Sequence, residues 1–591
     1  MSIIVQKFGG TSVADSQKIL AAARKAILAQ KEGYQVVMVV SAMGKSTDGL
    51  VALAREINDD PPAREMDMLL STGEQVSVAL MAMAIDALGH KAISMTGGQL
   101  GIVTDSVHTK ARIRSISTDR IRDALDAGRI VIAAGFQGVD EQFNITTLGR
   151  GGSDTTAVAL AAVLRAGACE IYTDVDGIYT SDPRVVAEAR KVRRISYDEM
   201  LELASAGAGV MHNRAIEFAK KFRVPVHVRS SFSDTPGTMI TADPESAAVP
   251  VCGAAKEKLE ARVTVLGVPD RPGAALTLFS RIAARNIAMD MIVQNVGAEG
   301  QADISFTVFC DDLPATLRAV GAAAEELGAE GYDYDEEVSK ISVVGLGMVT
   351  QPGVAGMMFR TLAEKGINIQ MITTSEIKIS VLVARQYAQE ALHAVHEAFR
   401  LHEEPPETPP PEAPPAEAEQ DTDEQIVARI ERLEDLLIED ITLDETQSRV
   451  TMVDLLDMPG LAAQVFDEVA EAGIVVDMIV QSVGRRGRAN VTFTVAQRDL
   501  EHSLEVAAEL ADRLGCPSPT NAPKVAKLSV FGVGMKSHTG VARRMFQSLA
   551  DAGVNVDVIS TSEVRVNVVV DRRDGQKALA ALRKEFADAM L

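Results

Sequence analysis

The sequence predicts an α/β protein: an open, mostly parallel sheet domain over residues 1–245, followed by four smaller α+β modules of strand-helix-strand-strand-helix-strand type. Two observations predict it. Up to about residue 242, β-rich apolar runs alternate with segments of helical period, the pattern of a parallel sheet covered on both faces. Beyond residue 249 a long segment of the sequence occurs twice, which marks a repeated structural unit.

In the first part, 3–8, 36–40, 130–134 and 170–173 read as strands, being short and apolar. Between them, 15–30, 74–87 and 155–165 place apolar residues at helical spacing without proline. In the second part, RVTVLGVPDRPG from Arg262 returns as RVTMVDLLDMPG from Arg449, and DMIVQNVG from Asp290 as DMIVQSVG from Asp477. KISVVGLGM from Lys340 returns as KLSVFGVGM from Lys527, and GINIQMITTSEIKISVLV from Gly366 as GVNVDVISTSEVRVNVVV from Gly553. Every pair is displaced by the same 187 residues, as from Arg262 to Arg449. Each copy is itself a doublet, because strand, turn, helix and strand occur near Val263 and again near Ile341. Modules are therefore expected at 246–335, 336–402, 426–522 and 523–591. Between the copies, 403–425 is rich in proline and acidic residues, which exclude a packed core and make an exposed tether. Helical spacing over 426–438 predicts a linker helix at the head of the third module.

A formal net charge of −23 repels phosphate backbones and anionic lipid, which excludes nucleic acid and membrane surfaces as partners. An anionic substrate then needs a local basic site. Cys169, Cys252, Cys310 and Cys516 are scattered, with no C-x-x-C pair and no histidine at ligand spacing, so neither a disulfide framework nor a protein-held metal is expected. MSIIVQKFGG is no signal sequence, and no apolar stretch approaches the roughly 20 residues a bilayer needs. A cytoplasmic protein is expected.

Four segments carry chemistry. KFGGTSV, from Lys7, follows a strand directly, where glycines let backbone amides approach a phosphate while a lysine supplies charge; an ordinary turn is the competing reading. LGRGGSDTTA, from Leu148, sets Arg150 before a glycine pair and a helix whose start Ser153 or Asp154 can cap. STGEQVS, from Ser71, puts Glu74 at a helix head, where the dipole favours a carboxylate and a substrate ammonium could be held. YTDVDGIYTSDPR, from Tyr172, follows a strand at the end where open α/β sheets bind ligands; its Asp-Gly and Asp-Pro pairs fit turns, and Arg184 is left free for phosphate. Gly345, Gly347 and Gly353 do not have dinucleotide-loop spacing.

VQKFGGTSV, VVSAMG, PPAREMDMLLSTGEQVS, TLGRGGSDTTAVALAA and YTDVDGIYTSDPR, in that order, resemble the aspartate kinase branch of the amino-acid kinase superfamily, and the repeated modules are similar to ACT domains. The resemblance implies the amino-acid kinase fold followed by four ferredoxin-like ACT modules. It implies transfer of the ATP γ-phosphoryl group to the β-carboxylate of L-aspartate, giving 4-phospho-L-aspartate for lysine, threonine and methionine synthesis, with Mg²⁺ carried mainly by the nucleotide. Lys7, Gly9 and Gly10 would contact the phosphates, with Lys7 and Asp154 catalytic. Thr173, Asp174, Tyr179, Asp182 and Arg184 would line the nucleotide site. Thr11, Ser41, Thr47, Glu74, Arg150, Gly151, Gly152 and Ser153 would hold aspartate. Gly209 stands where the family often has a nucleotide-contacting lysine. Lysine or threonine would act as effector on Asp270, Asp290, Gln294, Val354, Asn368, Ile369 and Glu376 in the first pair of modules. In the second pair the corresponding residues are Asp457, Asp477, Gln481, Val541, Asn555, Val556 and Glu563. A homodimer or higher homo-oligomer through ACT sheet edges is expected. A glutamate-specific kinase of the same superfamily and a non-catalytic amino-acid sensor are the competing readings, and the presence of Lys7, Glu74, Arg150 and Asp154 argues against the second.

Overall fold

The computed structural model describes residues 2–590 except 208, 247, 286, 297–299, 350, 352, 407–435, 484–486 and 536–539. The tether at 407–425 and the helix expected at 426–435 lie outside these residues.

Among the described residues the first part is built on an eight-stranded sheet. Its centre is strand Ile3–Phe8, paired in parallel with Gln35–Val40 on one side and Ala168–Thr173 on the other. Ile130–Ala134 and Val226–Ser230 extend it, again in parallel, and the pair Val226–Ser230 and Thr238–Thr241 is antiparallel. The core strands are continuous apolar runs because helices cover both faces: Ser16–Lys31 and Ala63–Ala87 on one, Gly152–Leu164 on the other. Successive strands lie to one side of Ile3–Phe8 until Ala168–Thr173 returns on its other side. That reversal opens a crevice at the carboxyl ends of the strands.

Helix Ala63–Ala87 is long and apolar enough to cross a membrane, but half of its most apolar window is buried inside the fold. It also starts eleven residues before the expected 74–87. Ser71 and Thr72, which read as a helix start, instead bond back to the carbonyls of Met68 and Leu69 within the helix.

The repeated part forms one twelve-stranded sheet rather than four separate ones. Strand Gly253–Pro269 runs through two modules: residues 253–257 pair with 340–344, and 260–266 with 331–338. Leu437–Leu456 does the same in the second copy, 437–444 pairing with 527–533. The linear boundary near 335 therefore does not separate the first two modules, since 253–257 supply a strand to the second. Residues 437 and 438, expected to be helical, begin that long strand. Backbone pairing across a sheet overrides a weak helical period.

The two copies join edge to edge where Met371, Ile372 and Thr373 pair with Ser482, Gln481 and Val480. The end strands Asp290–Val296 and Val558–Thr561 lie against each other. Edges expected to pair between molecules thus meet inside one chain, around a core of Met291, Val293, Met371, Met478, Val480 and Val558. Gly345 and Gly347 serve packing: a Cβ there would lie 2.3 Å from the Pro250 carbonyl and 2.2 Å from that of Val249.

Candidate active site and regulatory pockets

Lys7 sits one residue from the end of the central strand, between Val39 and Ile171. Its Nζ meets Asp154 Oδ1 at 2.6 Å, with only 11% and 12% of the two side chains exposed. Asp154 lies in the first turn of helix Gly152–Leu164, where the dipole favours an anion. Neither Ser153 nor Asp154 caps that helix: the cap position is Gly151, at φ 72°, with no side-chain bond. Asp154 is therefore left to orient the lysine.

Gly9 donates its amide to the Tyr172 carbonyl at 3.3 Å. Gly10 must be glycine, because a Cβ would lie 2.7 Å from the Ala42 carbonyl and 3.1 Å from that of Gly44. Ala42 is the residue that ties this loop to Glu74. Its amide donates to Glu74 Oε1 at 3.0 Å, and its methyl group would be 2.8 Å from a Cβ on Gly73. Glu74 thus lies in the middle of a helix, away from the helix end expected for it. Its Oε2 is buried without a hydrogen-bond partner, and burial, only partly offset by the Ala42 amide, pushes its pKa up to about 7. A buried, half-satisfied carboxylate is a receptor for a cationic donor. Ser41 donates its amide to Phe8 at 3.1 Å, Thr47 opens helix Ser46–Ile57, and Thr11 is exposed beside them.

Arg150 is exposed on a loop with Gly149 and Gly151 in the left-handed region, at φ 78° and 72°. The His212 side chain packs so closely on Gly151 that a Cβ there would lie 2.3 Å from His212 Cβ. Asp67, fully buried, fixes the strand leading to this loop, accepting from Thr147 Oγ1 at 2.5 Å and the Thr109 amide at 3.0 Å. The sequence did not single out Asp67, Ala42 or His212. A charged residue amid Met66, Met68, Leu69 and Leu70 was the available signal for Asp67.

Thr173 ends the strand beside Lys7 and Asp174 follows it, Thr173 donating to Asp174 at 3.2 Å. Tyr179 donates to Asp176 at 2.8 Å, and Lys191 joins the same carboxylate at 3.2 Å. Arg184, expected to be free, is instead held in two-pronged fashion by Asp182, at 2.9 Å through both Nε and a terminal nitrogen. The two residues are neighbours on a tight turn, which the sequence shows only as turn chemistry. Gly209 is exposed with open space around it.

Several of the residues expected to bind an effector come together across the copies, not within each pair. Asn555 donates to Asp270 at 2.8 Å and Gln294 to the Val556 carbonyl at 2.6 Å. One cavity is lined by all four. In the mirror arrangement Asn368 donates to Asp457 at 3.0 Å and Gln481 to the Ile369 carbonyl at 2.9 Å, and Asn368, Ile369 and Gln481 line a second cavity. Asp290 and Asp477 line neither: they bind Lys340 and Lys527. Lys340 is buried between Asp290 and Glu260, the latter at 2.8 Å. Val354 and Val541 are buried core residues at helix starts. Glu376 pairs with Arg565, and buried Glu563 accepts from Asn213 of the first domain at 3.2 Å.

Comparison with known proteins bears on the family of this chain. Residues 2–230 match the amino acid kinase family model, and 341–399, 449–512 and 528–586 match ACT domain models. The aspartokinase of Geobacillus stearothermophilus is 52% identical over 407 residues, covering 68% of this chain and 98% of that protein. The crystal structure of aspartate kinase from Synechocystis is 39% identical at a TM-score of 0.53, covering 100% of this chain and 98% of that one. E. coli aspartokinase III, in complex with aspartate and ADP, is 25% identical at a TM-score of 0.58, covering 67% of this chain and 99% of that one.

Proposed function

The chain belongs to the aspartate kinase family, an ATP-dependent phosphotransferase family, and on that premise we propose how its residues divide the work. The observation that carries the reading is the buried Lys7–Asp154 pair at 2.6 Å, set at the end of the central strand beside a loop where Gly10 admits no side chain.

The acceptor is the β-carboxylate of L-aspartate. One of its oxygens attacks the γ-phosphorus of ATP, the bond from that phosphorus to the β,γ-bridging oxygen breaks, and ADP leaves with the electron pair. The nucleophile is already ionised at neutral pH, so no proton has to be removed. Positioning and charge neutralisation carry the catalysis. Lys7, oriented by Asp154, neutralises charge building on the transferring group, and the Gly9 and Gly10 backbone lets the phosphates approach. Thr173 and Asp174 border the nucleotide. Arg184 would reach a phosphate only by leaving Asp182. Arg150 takes the α-carboxylate of aspartate, the open Oε2 of Glu74 takes its ammonium group, and Thr11, Ser41, Thr47 and Ser153 complete the walls. Mg²⁺ would be carried mainly by the nucleotide, its triphosphate supplying most of the ligands, and would add charge neutralisation there.

The product, an acyl phosphate, suits the opening of lysine, threonine and methionine synthesis in the cytoplasm. Feedback control would act at the two cross-copy pockets, with lysine or threonine as effector; E. coli aspartokinase III has been solved in complex with lysine and aspartate. Self-association would have to use surfaces other than the sheet edges already paired inside the chain. The assignment is tested by ADP release on adding aspartate or glutamate: strong release with aspartate alone is expected, and equal release with glutamate would overturn it.

A further inference from the structure

Three glycines surround Arg150: Gly149, Gly151 and Gly152. Such a loop has no side chains of its own to anchor it, so its shape is set from outside. Thr109 closes on Gly149 and Phe136 on Gly152, and two further outside contacts come from His212 and Arg214, at the start of helix Asn213–Phe222. His212 lies against Gly151. Arg214 donates to the Leu148 carbonyl and, with a second nitrogen, to the Ala111 carbonyl, each at 2.7 Å. Between them the Ala111 amide donates to the Thr147 carbonyl at 2.9 Å, so one guanidinium clasps the end of strand Ile145–Thr147, where the loop begins, to the segment at Ala111 beside it.

Asn213 points the other way. Its amide nitrogen bonds Ser205 and donates to Glu563 Oε2 at 3.2 Å. Glu563 is a residue of the second regulatory copy, on the turn between strands Val558–Thr561 and Arg565–Asp571. The Glu563 amide donates to Glu202 Oε1 at 3.1 Å, and Glu202, fully buried, takes Lys378 of the first copy at 2.6 Å. Both copies therefore grip helix Tyr197–Ser205 at one point, and Asn213 leads from that point to the residues holding the Arg150 loop.

We propose that Arg214 is a positioning residue for the loop 148–152, and that Asn213 links this loop to the second regulatory copy through Glu563. The proposal rests on Arg150 as the aspartate-carboxylate ligand. A planar guanidinium satisfies two carbonyls at fixed spacing; a shift of Glu563 would move Asn213 and, one residue along the same helix, that clasp.

The test measures KM for aspartate, KM for ATP, kcat and the melting midpoint on full-length variants. Arg214→Gln is expected to raise the aspartate KM about tenfold or more, the loss of one charged hydrogen-bonding group, with the ATP KM within about twofold. Arg214→Lys keeps the charge, reaches at most one carbonyl, and is expected in between; it carries the test should Arg214→Gln not fold. Asn213→Ala and Glu563→Ala should each raise the aspartate KM, and the double variant should match either single one, since both remove the same contact. Equal changes in both KM values, or additive effects of Asn213→Ala and Glu563→Ala, would overturn the proposal. A normal aspartate KM in Arg214→Gln beside a raised one in Arg150→Ala would overturn this inference alone. A normal one in Arg150→Ala would remove the underlying reading and the inference with it.

Discussion

Gln294 donates its side-chain amide to the carbonyl of Val556 at 2.6 Å across 262 residues of chain. Gln481 repeats the bond to Ile369 at 2.9 Å. Each bond joins the first half of one copy to the second half of the other, so neither pocket exists within a copy. The duplication supplies two sites of the same design, with Phe546 and Phe359 at equivalent places, but Arg271 lines one where Met458 lines the other.

Truncating Gln294 leaves the Val556 carbonyl buried without this donor, a loss of about 1–3 kcal/mol. Gln294→Ala should weaken effector binding at the Asp270–Asn555 pocket about tenfold and leave the Asp457–Asn368 pocket unchanged, with Gln481→Ala doing the reverse. Calorimetric titration of lysine and of threonine into the full chain reads both. Equal losses at both sites from either variant would show that the pockets are not separable.

Lys7→Met removes the charge aimed at the phosphates and leaves a side chain of similar length. Turnover should fall by about two to three orders of magnitude, the scale seen when a preorganised transition-state donor is lost. The melting midpoint should fall as well, because the largely buried Asp154 is left without its cation, so turnover is compared at a temperature where the variant is still folded. Near-normal turnover would refute the role.

Glu74 fixes the pH response. Its carboxyl is neutral below about 7 and ionised above, and only the ionised form attracts an ammonium group. The aspartate KM should therefore rise as pH falls through about 7, with the ATP KM flat over the same range, and Glu74→Gln should remove the dependence. Stability has the opposite sign: a carboxyl raised above its unfolded value of 4.5 favours the fold most below that value, and the contribution is lost as pH rises toward 7.

Burial alone would lower the pKa of Lys340, but Asp290 and Glu260 outweigh it and hold the value above that of an ordinary lysine. Its stabilisation is present up to the ordinary lysine range and lost only above it. Lys340→Met strands two carboxylates in a site where the lysine is 3% exposed, at a cost of about 3–5 kcal/mol. In the second copy Gln447 stands where Glu260 stands in the first, and Lys527 binds Asp477 with the side chains 13% and 30% exposed. Lys527→Met should cost clearly less, as read by denaturant unfolding.

The sequence made the sheet domain legible because buried parallel strands are continuous apolar runs, and it made the duplication legible because residues 187 apart repeat, as Arg262 and Arg449 do. It also picked Lys7 and Asp154, which the fold brings into contact. It could not say that Asp270 meets Asn555 rather than Asn368, since a repeated doublet pairs equally well within or across copies, and the choice is made by strand edges far apart in the chain. Glu74 was misplaced because Ser71, Thr72 and Gly73 look like a helix start. Gly73 is there to clear the Ala42 methyl group. Arg184 looked free because a guanidinium folding back two residues onto Asp182 leaves no periodic signature.

The seam between Met371–Thr373 and Val480–Ser482 lies within one molecule, so its closure does not depend on how much protein is present. A chain with one copy would have to recruit a partner, and its pockets would dissolve on dilution. Here the covalent connection keeps the halves at an effective concentration on the order of millimolar. A cell making little of this enzyme and a cell making much of it would then have molecules equally sensitive to their effectors.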